Sequence, residues 1–281
     1  MALSRRDFLK FAVRSTGLLA ATSAGGLAYT MVIEPHAVQV REVEVQPRGL
    51  PPAFDGLRIA HITDLHMGSW TTADHLAHVV KMIHDRKPDV VAITGDFVTH
   101  IYSQTLNDLV RGLSDLRAES GVYAVLGNHD HWTDAVAVSA AVERAGITLL
   151  TNRHIPIRRG GETLYIAGVD DIWEGLHDLD AALDGIPAEG CVVLLAHEPD
   201  YADAVNADGR VAMQLSGHSH GGQVRLPFIG APVLPYLGTK YDLGRYDLDN
   251  LMLYVNPGIG MLDLSVRFGC PPEISVFTLQ A

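Results

Sequence analysis

Apolar and polar positions follow two rhythms along this chain. Between residues 57 and 145, short apolar runs alternate with stretches whose apolar residues recur three and four apart. Residues 57–63, 89–94 and 122–126 have the length and composition of buried strands. Residues 74–86 place Leu76, Val79, Val80 and Ile83 on one helical face, and Pro88 ends that helix. Residues 103–116 do the same with Leu106, Leu109, Val110 and Leu113, and 135–145 give a third helix. Strand and helix in alternation is the α/β pattern. The second half changes character. Residues 149–157 and 163–168 read as a hairpin around Arg159-Gly160-Gly161-Glu162. Residues 192–196, 211–215, 251–255 and 274–279 read as further strands, and 201–206 as a short helix. Val38, Val40, Val43 and Val45 suggest an edge strand before Pro47, Pro51 and Pro52. The predicted fold is α/β, with two mixed sheets face to face and helices outside, in four layers.

The polar residues that close these runs are few in kind. They are Asp64 and His66, Gly95-Asp96, Gly127-Asn128-His129-Asp130, His197, and His218 with His220. Any one of them is ordinary as a turn residue or helix cap. Together, five strand ends carry only Asp, Asn and His, and ligand sites in α/β sheets gather at such ends. Strand alternation carried past residue 215 would put His218 and His220 on one side. The donors are oxygen and imidazole with no thiolate, which points to Mn, Fe or Zn and away from copper(I) or iron–sulfur centres. Two such ions about 3.5–4 Å apart can clamp both oxygens of an in-line phosphoryl displacement and supply a hydroxide nucleophile. Asp96 can bridge them, and His129 can protonate the leaving alcohol.

These blocks resemble the calcineurin-like metallophosphoesterase superfamily, whose pattern is DxH, GD, GNH[DE], H and GHxH. All five stand in order between Leu57 and His220. Gly221-Gly222-Gln223 and the stretch Val266-Arg267-Phe268-Gly269-Cys270-Pro271-Pro272-Glu273-Ile274 are similar to its exported bacterial branch. The resemblance implies that Asp64, His66 and His220 hold one ion, that Asn128, His197 and His218 hold the other, and that Asp96 bridges. It implies His129 as the acid, steered by Asp130 or another carboxylate. The serine/threonine phosphatases of the superfamily extend the second block as GDxVDRG, whereas this chain reads Gly95-Asp96-Phe97-Val98-Thr99-His100. That departure argues against a phosphoprotein substrate. The resemblance favours phosphodiesters over monoesters, with a pyrophosphatase of UDP-2,3-diacylglucosamine as the alternative within the superfamily.

Ser4-Arg5-Arg6-Asp7-Phe8-Leu9-Lys10, followed by a weakly apolar stretch, is a twin-arginine export pattern. It divides the chain into a signal or anchor (1–34), a linker with an edge strand (35–56) and a catalytic domain (57–281), exported to the periplasm or cell envelope. The partners it implies are the twin-arginine translocase, a phosphate-ester substrate, lipid-linked or soluble, and a membrane surface. The net charge of −12 argues against a nucleic-acid partner. Trp132 is positioned to cover a substrate, and the Pro-, Gly- and aromatic-rich stretch 225–246 has the apolar content to meet a lipid tail. Cys191 and Cys270 leave open whether they pair. A metallo-β-lactamase would need HxHxDH and a zinc peptidase HExxH, and the chain has neither. A non-catalytic exported metal binder is the remaining alternative, and the presence of His129 weighs against it.

Overall fold

The computed structural model describes residues 25–281 apart from Ser69, Asp263 and Leu264. The twin-arginine motif lies outside the described residues. Strands β1 (Gln39–Val45), β2 (Arg58–Ile62), β3 (Val90–Thr94), β4 (Val122–Val125) and β5 (Thr148–Leu149) alternate with helices α1 (Ala73–His84), α2 (Thr105–Leu113) and α3 (Asn128–Arg144). Strands β6 (Arg153–Arg159), β7 (Glu162–Gly168), β8 (Cys191–Leu195), β9 (Met213–Ser216), β10 (Gly244–Asp247), β11 (Met252–Val255) and β12 (Glu273–Leu279) follow, with short helices α4 (Leu179–Leu183) and α5 (Ala202–Asp208). The first sheet runs β1-β12-β2-β3-β4-β5 and the second β10-β11-β9-β8-β7-β6. Each is mixed: β2 through β5 are parallel while β12 runs antiparallel to β2, and β7, β8, β9 and β11 are parallel between antiparallel edges β6 and β10.

Period-two alternation explains the layers. In β3, Val90 and Ala92 face the second sheet while Val91 and Ile93 face α1 and α2. The inter-sheet core joins Ile59, Tyr123 and Phe277 of one sheet to Ile166, Val193, Leu215 and Tyr254 of the other. A third apolar layer packs the outer face of the second sheet against Ala182, Leu183, Ala202 and Val205 of α4 and α5. Helix α1 buries Leu76, Val79, Val80 and Ile83, and Thr72 caps it by accepting from the His75 amide at 3.2 Å.

Two local expectations change. The helix expected at 135 begins at Asn128 and is broken at Asp134 (φ −170°, ψ 89°), whose carboxylate accepts from the Ala137 amide and restarts it. The strand expected over 149–157 is two pieces in different sheets. The chain crosses at Asn152 (φ 49°), whose Oδ1 accepts from the Asp170 and Asp178 amides. Cys191 and Cys270 are free and buried, in different layers.

Residues 25–36 form helical turns with Leu27, Tyr29, Met31, Val32 and Ile33 exposed. They dock through Thr30, whose carbonyl accepts from the Arg267 amide at 3.0 Å, and through buried Glu34, which accepts from the Cys270 amide at 2.7 Å. Among the described residues no helix is long and apolar enough to cross a membrane.

Candidate metal centre

The C-terminal ends of β2, β3, β8 and β9 and the N-terminus of α3 meet at one edge of the inter-sheet seam. Past these strands the backbone turns sharply: Asp64, His66, Asp96, His218 and His220 all have positive φ, between 49° and 65°. A non-glycine residue resists that region, and its clustering here marks a functional constraint. Strand β9 ends at Ser216, so strand alternation does not govern His218 and His220. They diverge, one to each of two donor groups.

The first group is Asp64, His66, Asp96 and His220, and the second is Asp96, His197 and His218. All are buried, and within each group the donor atoms lie within 4.8 Å of one another. His66 Nε2 and His220 Nε2 approach to 2.9 Å, and His220 Nε2 lies 3.3 Å from Asp64 Oδ1. In the second group His197 Nε2 lies 3.2 Å from Asp96 Oδ2 yet makes no aligned hydrogen bond. Buried Asn128 Oδ1 also has no partner among the described residues. Donors crowded this way suit shared cations. Asp96 belongs to both groups, as a bridging carboxylate must.

The outward atoms of the rings are held. His66 Nδ1 meets Thr99 Oγ1 at 2.8 Å, His197 Nδ1 meets the Thr94 carbonyl at 2.5 Å, and His218 Nε2 meets the Tyr236 carbonyl at 2.7 Å. Such partners fix ring orientation and tautomer. The Asp64 carboxylate accepts from the His218 amide at 3.0 Å, which stitches the two groups together. A side chain on Gly217 would run into Thr63 Oγ1 and Asp64 Oδ2, and one on Gly127 into Asp96 and His197, so both turns require glycine.

The electrostatics describe a site short of positive charge. Burial pushes Asp64 up to about 7, against the pull of His197. Burial likewise pushes His66 and His218 down to about 3 and His220 well below its usual value. Burial would lower His197 and raise Asp96, but each holds the other charged: His197 stands well above the usual histidine value and Asp96 well below the carboxylate range. The lowered His66, His218 and His220 are neutral imidazoles, the form a divalent ion binds, whereas His197 would have to give up its proton to one.

His129 is half-buried, its amide donating to Asp96 Oδ1 at 2.9 Å and its ring 5.0 Å from those of His66 and Trp132. Asp130, expected to steer His129, caps the helix that carries it. Its carboxylate accepts from the Val98 and Gly127 amides, both at 3.1 Å, closing the first turn of α3, and burial raises it to about 8. Trp132 is half-exposed, with Nε1 donating to Glu174 at 2.7 Å and its ring 5.1 Å from Trp173.

Four residues here escaped sequence reasoning. Thr99 sits where the serine/threonine phosphatases carry their second Asp, so its place in the block was the available signal. Trp173 lines the central cavity beside His129 and His218. Buried Glu198 accepts from the Ile172 and Trp173 amides and so places that tryptophan; it directly follows His197. Fully buried Arg267 donates to the carbonyls of Pro257, Gly258, Gly260 and Cys270. The segment it shapes gives the Gly260 amide to the Asp64 carbonyl at 2.7 Å.

Two carboxylates and four imidazoles gathered at strand ends of a two-sheet α/β fold define a metal-dependent phosphoesterase with a two-ion centre. The chain belongs to the calcineurin-like phosphoesterase family, whose profile matches residues 57–222. It is 35% identical to the metallophosphoesterase YkuE of Bacillus subtilis, over 99% of this chain and 98% of that one. It is 30% identical to a transmembrane protein with metallophosphoesterase domain of Danio rerio, over 95% of this chain but only 63% of the longer protein. It is 27% identical to the phosphodiesterase YaeI of Escherichia coli, over 99% of both chains.

Proposed function

We propose that this chain hydrolyses phosphodiesters of the cell envelope, with a lipid-linked ester as substrate, after export by the twin-arginine route. The observation that carries the substrate class is the lining of the three cavities at and around the centre. It consists of His, Trp, Tyr, Thr, Pro and aliphatic residues with Ser219, Gly222, Asp96, Asn128 and Gln223, and contains no Lys or Arg among the described residues. A nucleotide pyrophosphate carries two adjacent negative charges and calls for cationic side chains. A singly charged diester needs only the metal centre. This weighs against a UDP-2,3-diacylglucosamine pyrophosphatase. The name phosphodiesterase borne by the Escherichia coli relative supports the diester reading. The Danio rerio relative's name supports a membrane setting. The export route, and with it the domain division at residues 34 and 56, rests on residues 4–10.

Asp64, His66 and His220 would hold one divalent ion (Mn, Fe or Zn), Asn128, His197 and His218 the other, and Asp96 both. Bound there, such ions supply Lewis acidity and a nucleophile at neutral pH. The protein's own groups do the rest. His129, anchored through its amide to Asp96, faces the central cavity and donates a proton to the departing alkoxide oxygen. Trp132 and Trp173 wall the cavity and orient the ester beside it. Asp130 braces the turn that carries Asn128 and His129.

The test compares bis(p-nitrophenyl) phosphate with p-nitrophenyl phosphate on metal-stripped protein resupplied with Mn, Fe or Zn. Diester hydrolysis at least about tenfold faster in kcat/KM, and lost in Asp96→Asn, is expected. Preference for the monoester would overturn the diester assignment, and turnover of UDP-2,3-diacylglucosamine in preference to both would restore the alternative.

A further inference from the structure

A cavity of about 520 Å³ opens beside the His218–His220 turn, within the size range of ligand pockets. Val224, Pro232, Val233, Leu234, Pro235 and Leu262 give it an apolar wall. It adjoins the metal centre: His218, His220, Pro235 and Leu262 line both this cleft and the smaller cavity that holds Asp96, Asn128 and His129. Whatever reaches the centre with a substituent on this side must therefore lay that substituent along an uncharged apolar wall.

The mouth has the same character. Residues 226–239 contain no charged side chain, and Phe228, Ile229, Val233 and Tyr236 are exposed there. The loop is braced by local bonds: the Leu226 amide donates to the Gly230 carbonyl at 2.9 Å, and the Arg225 guanidinium is engaged by Asp242 at 2.7 Å. Next to it, the Phe268 amide donates to the Gln223 carbonyl and the Arg267 amide to that of Thr30, so the exposed apolar residues 27–33 adjoin the same edge. Exposed apolar groups that are contiguous with a ligand cleft mark an interaction surface rather than scattered surface residues.

We infer that this cleft is a subsite for a hydrocarbon chain of the substrate, entered past the 226–239 loop from a lipid phase, and that it selects phosphodiesters bearing such a chain. The inference rests on the phosphodiesterase reading and specifies which ester it takes.

The test is a series of p-nitrophenyl alkyl phosphates with methyl, butyl and octyl chains, below micelle-forming concentration, on metal-loaded full-length protein. Each hydrolysis consumes one water and yields p-nitrophenol and the alkyl phosphate, so only the chain varies. Full burial of a methylene gives at most about a fourfold gain. A rise of roughly 100-fold in kcat/KM from methyl to octyl, mostly in KM, is expected with partial burial. Leu234→Trp, which fills the cleft, and Val233→Asp, at an exposed position on its mouth, should each cut the octyl-to-methyl ratio below about tenfold. A ratio near one in the wild type, or a ratio unmoved by both variants, overturns the subsite while leaving the phosphodiesterase intact. If no ester turns over with any metal, it is the phosphodiesterase reading that fails. Calorimetric binding of octyl phosphate against methyl phosphate then decides the subsite: tighter octyl binding supports it and equal binding overturns it.

Discussion

The two halves of the metal centre are built differently. The half formed by Asp64, His66 and His220 is locked by the backbone. Asp64 and His66 sit in the left-handed region, their amides donating to the Gly95 and Asp96 carbonyls, and Thr99 holds the His66 ring. The half formed by Asn128, His197 and His218 is looser. Asn128 Oδ1 and His197 Nε2 lack aligned partners among the described residues. In the first half the unpaired buried nitrogen is His220 Nδ1, the ring atom opposite the Nε2 that meets Asp64, whereas in the second the unpaired atoms, Asn128 Oδ1 and His197 Nε2, are ones an ion would satisfy. Preorganisation on one side and unsatisfied donors on the other suggest that the first half binds its ion tightly and the second exchanges more readily.

Substitutions can break this asymmetry, and the largest effect belongs to the shared ligand. Asp96→Asn should lower kcat/KM for the diester by well over about 100-fold and remove metal from both positions, read by hydrolysis and by elemental analysis. Retention of two ions would show that Asp96 does not bridge. His129→Ala should lower kcat by about 10²–10⁴-fold while both ions stay bound, because the residue acts on the leaving group and not as a ligand. Metal loss in that variant would move His129 into the coordination set. Thr99→Val removes the partner of His66 Nδ1 and should weaken the tight ion by about 10–100-fold, with the second ion less affected. Equal weakening of both ions would erase the distinction between the halves.

The smallest effect lies at the outer edge of the looser half. His131 Nε2 contacts Asp170 Oδ1 at 2.8 Å and ties α3 to the end of β7. The hydrogen bond to Asp170 raises His131. A histidine raised on folding contributes stability that is complete below its unfolded value, about 6.5, and is lost as pH climbs through the higher folded value. The pair is only half-buried, so His131→Asn should cost no more than about 1 kcal/mol below pH 6 and less at pH 8, read by urea unfolding. A cost that grows with pH would contradict the pairing.

Much of this was legible in the sequence because donor residues must follow strands to converge. The strand-like runs before residues 64, 96, 128, 197 and 218 placed all seven ligand candidates, and the structure brings six of them into two groups and sets Asn128 beside them. What was illegible depended on backbone geometry. Alternation past residue 215 put His218 and His220 together, but β9 stops at Ser216 and two left-handed turns send the rings apart. In sequence a capping box and a catalytic dyad spell the same residues, and the bonds of Asp130 to Gly127 and Val98 show the capping box. Arg267 stood in a run similar to relatives but had no role until its guanidinium met four carbonyls. The sheet switch at Asn152 had one signal, the polar run Thr151-Asn152-Arg153-His154 that interrupts residues 149–157.

The most direct test is a metal titration of stripped full-length protein, with bound ions counted and bis(p-nitrophenyl) phosphate hydrolysis followed at each step. Two divalent ions per chain are expected, the first binding without appreciable turnover and hydrolysis rising as the second fills. Full hydrolysis by stripped protein, or with a single equivalent bound, would contradict a two-ion phosphoesterase.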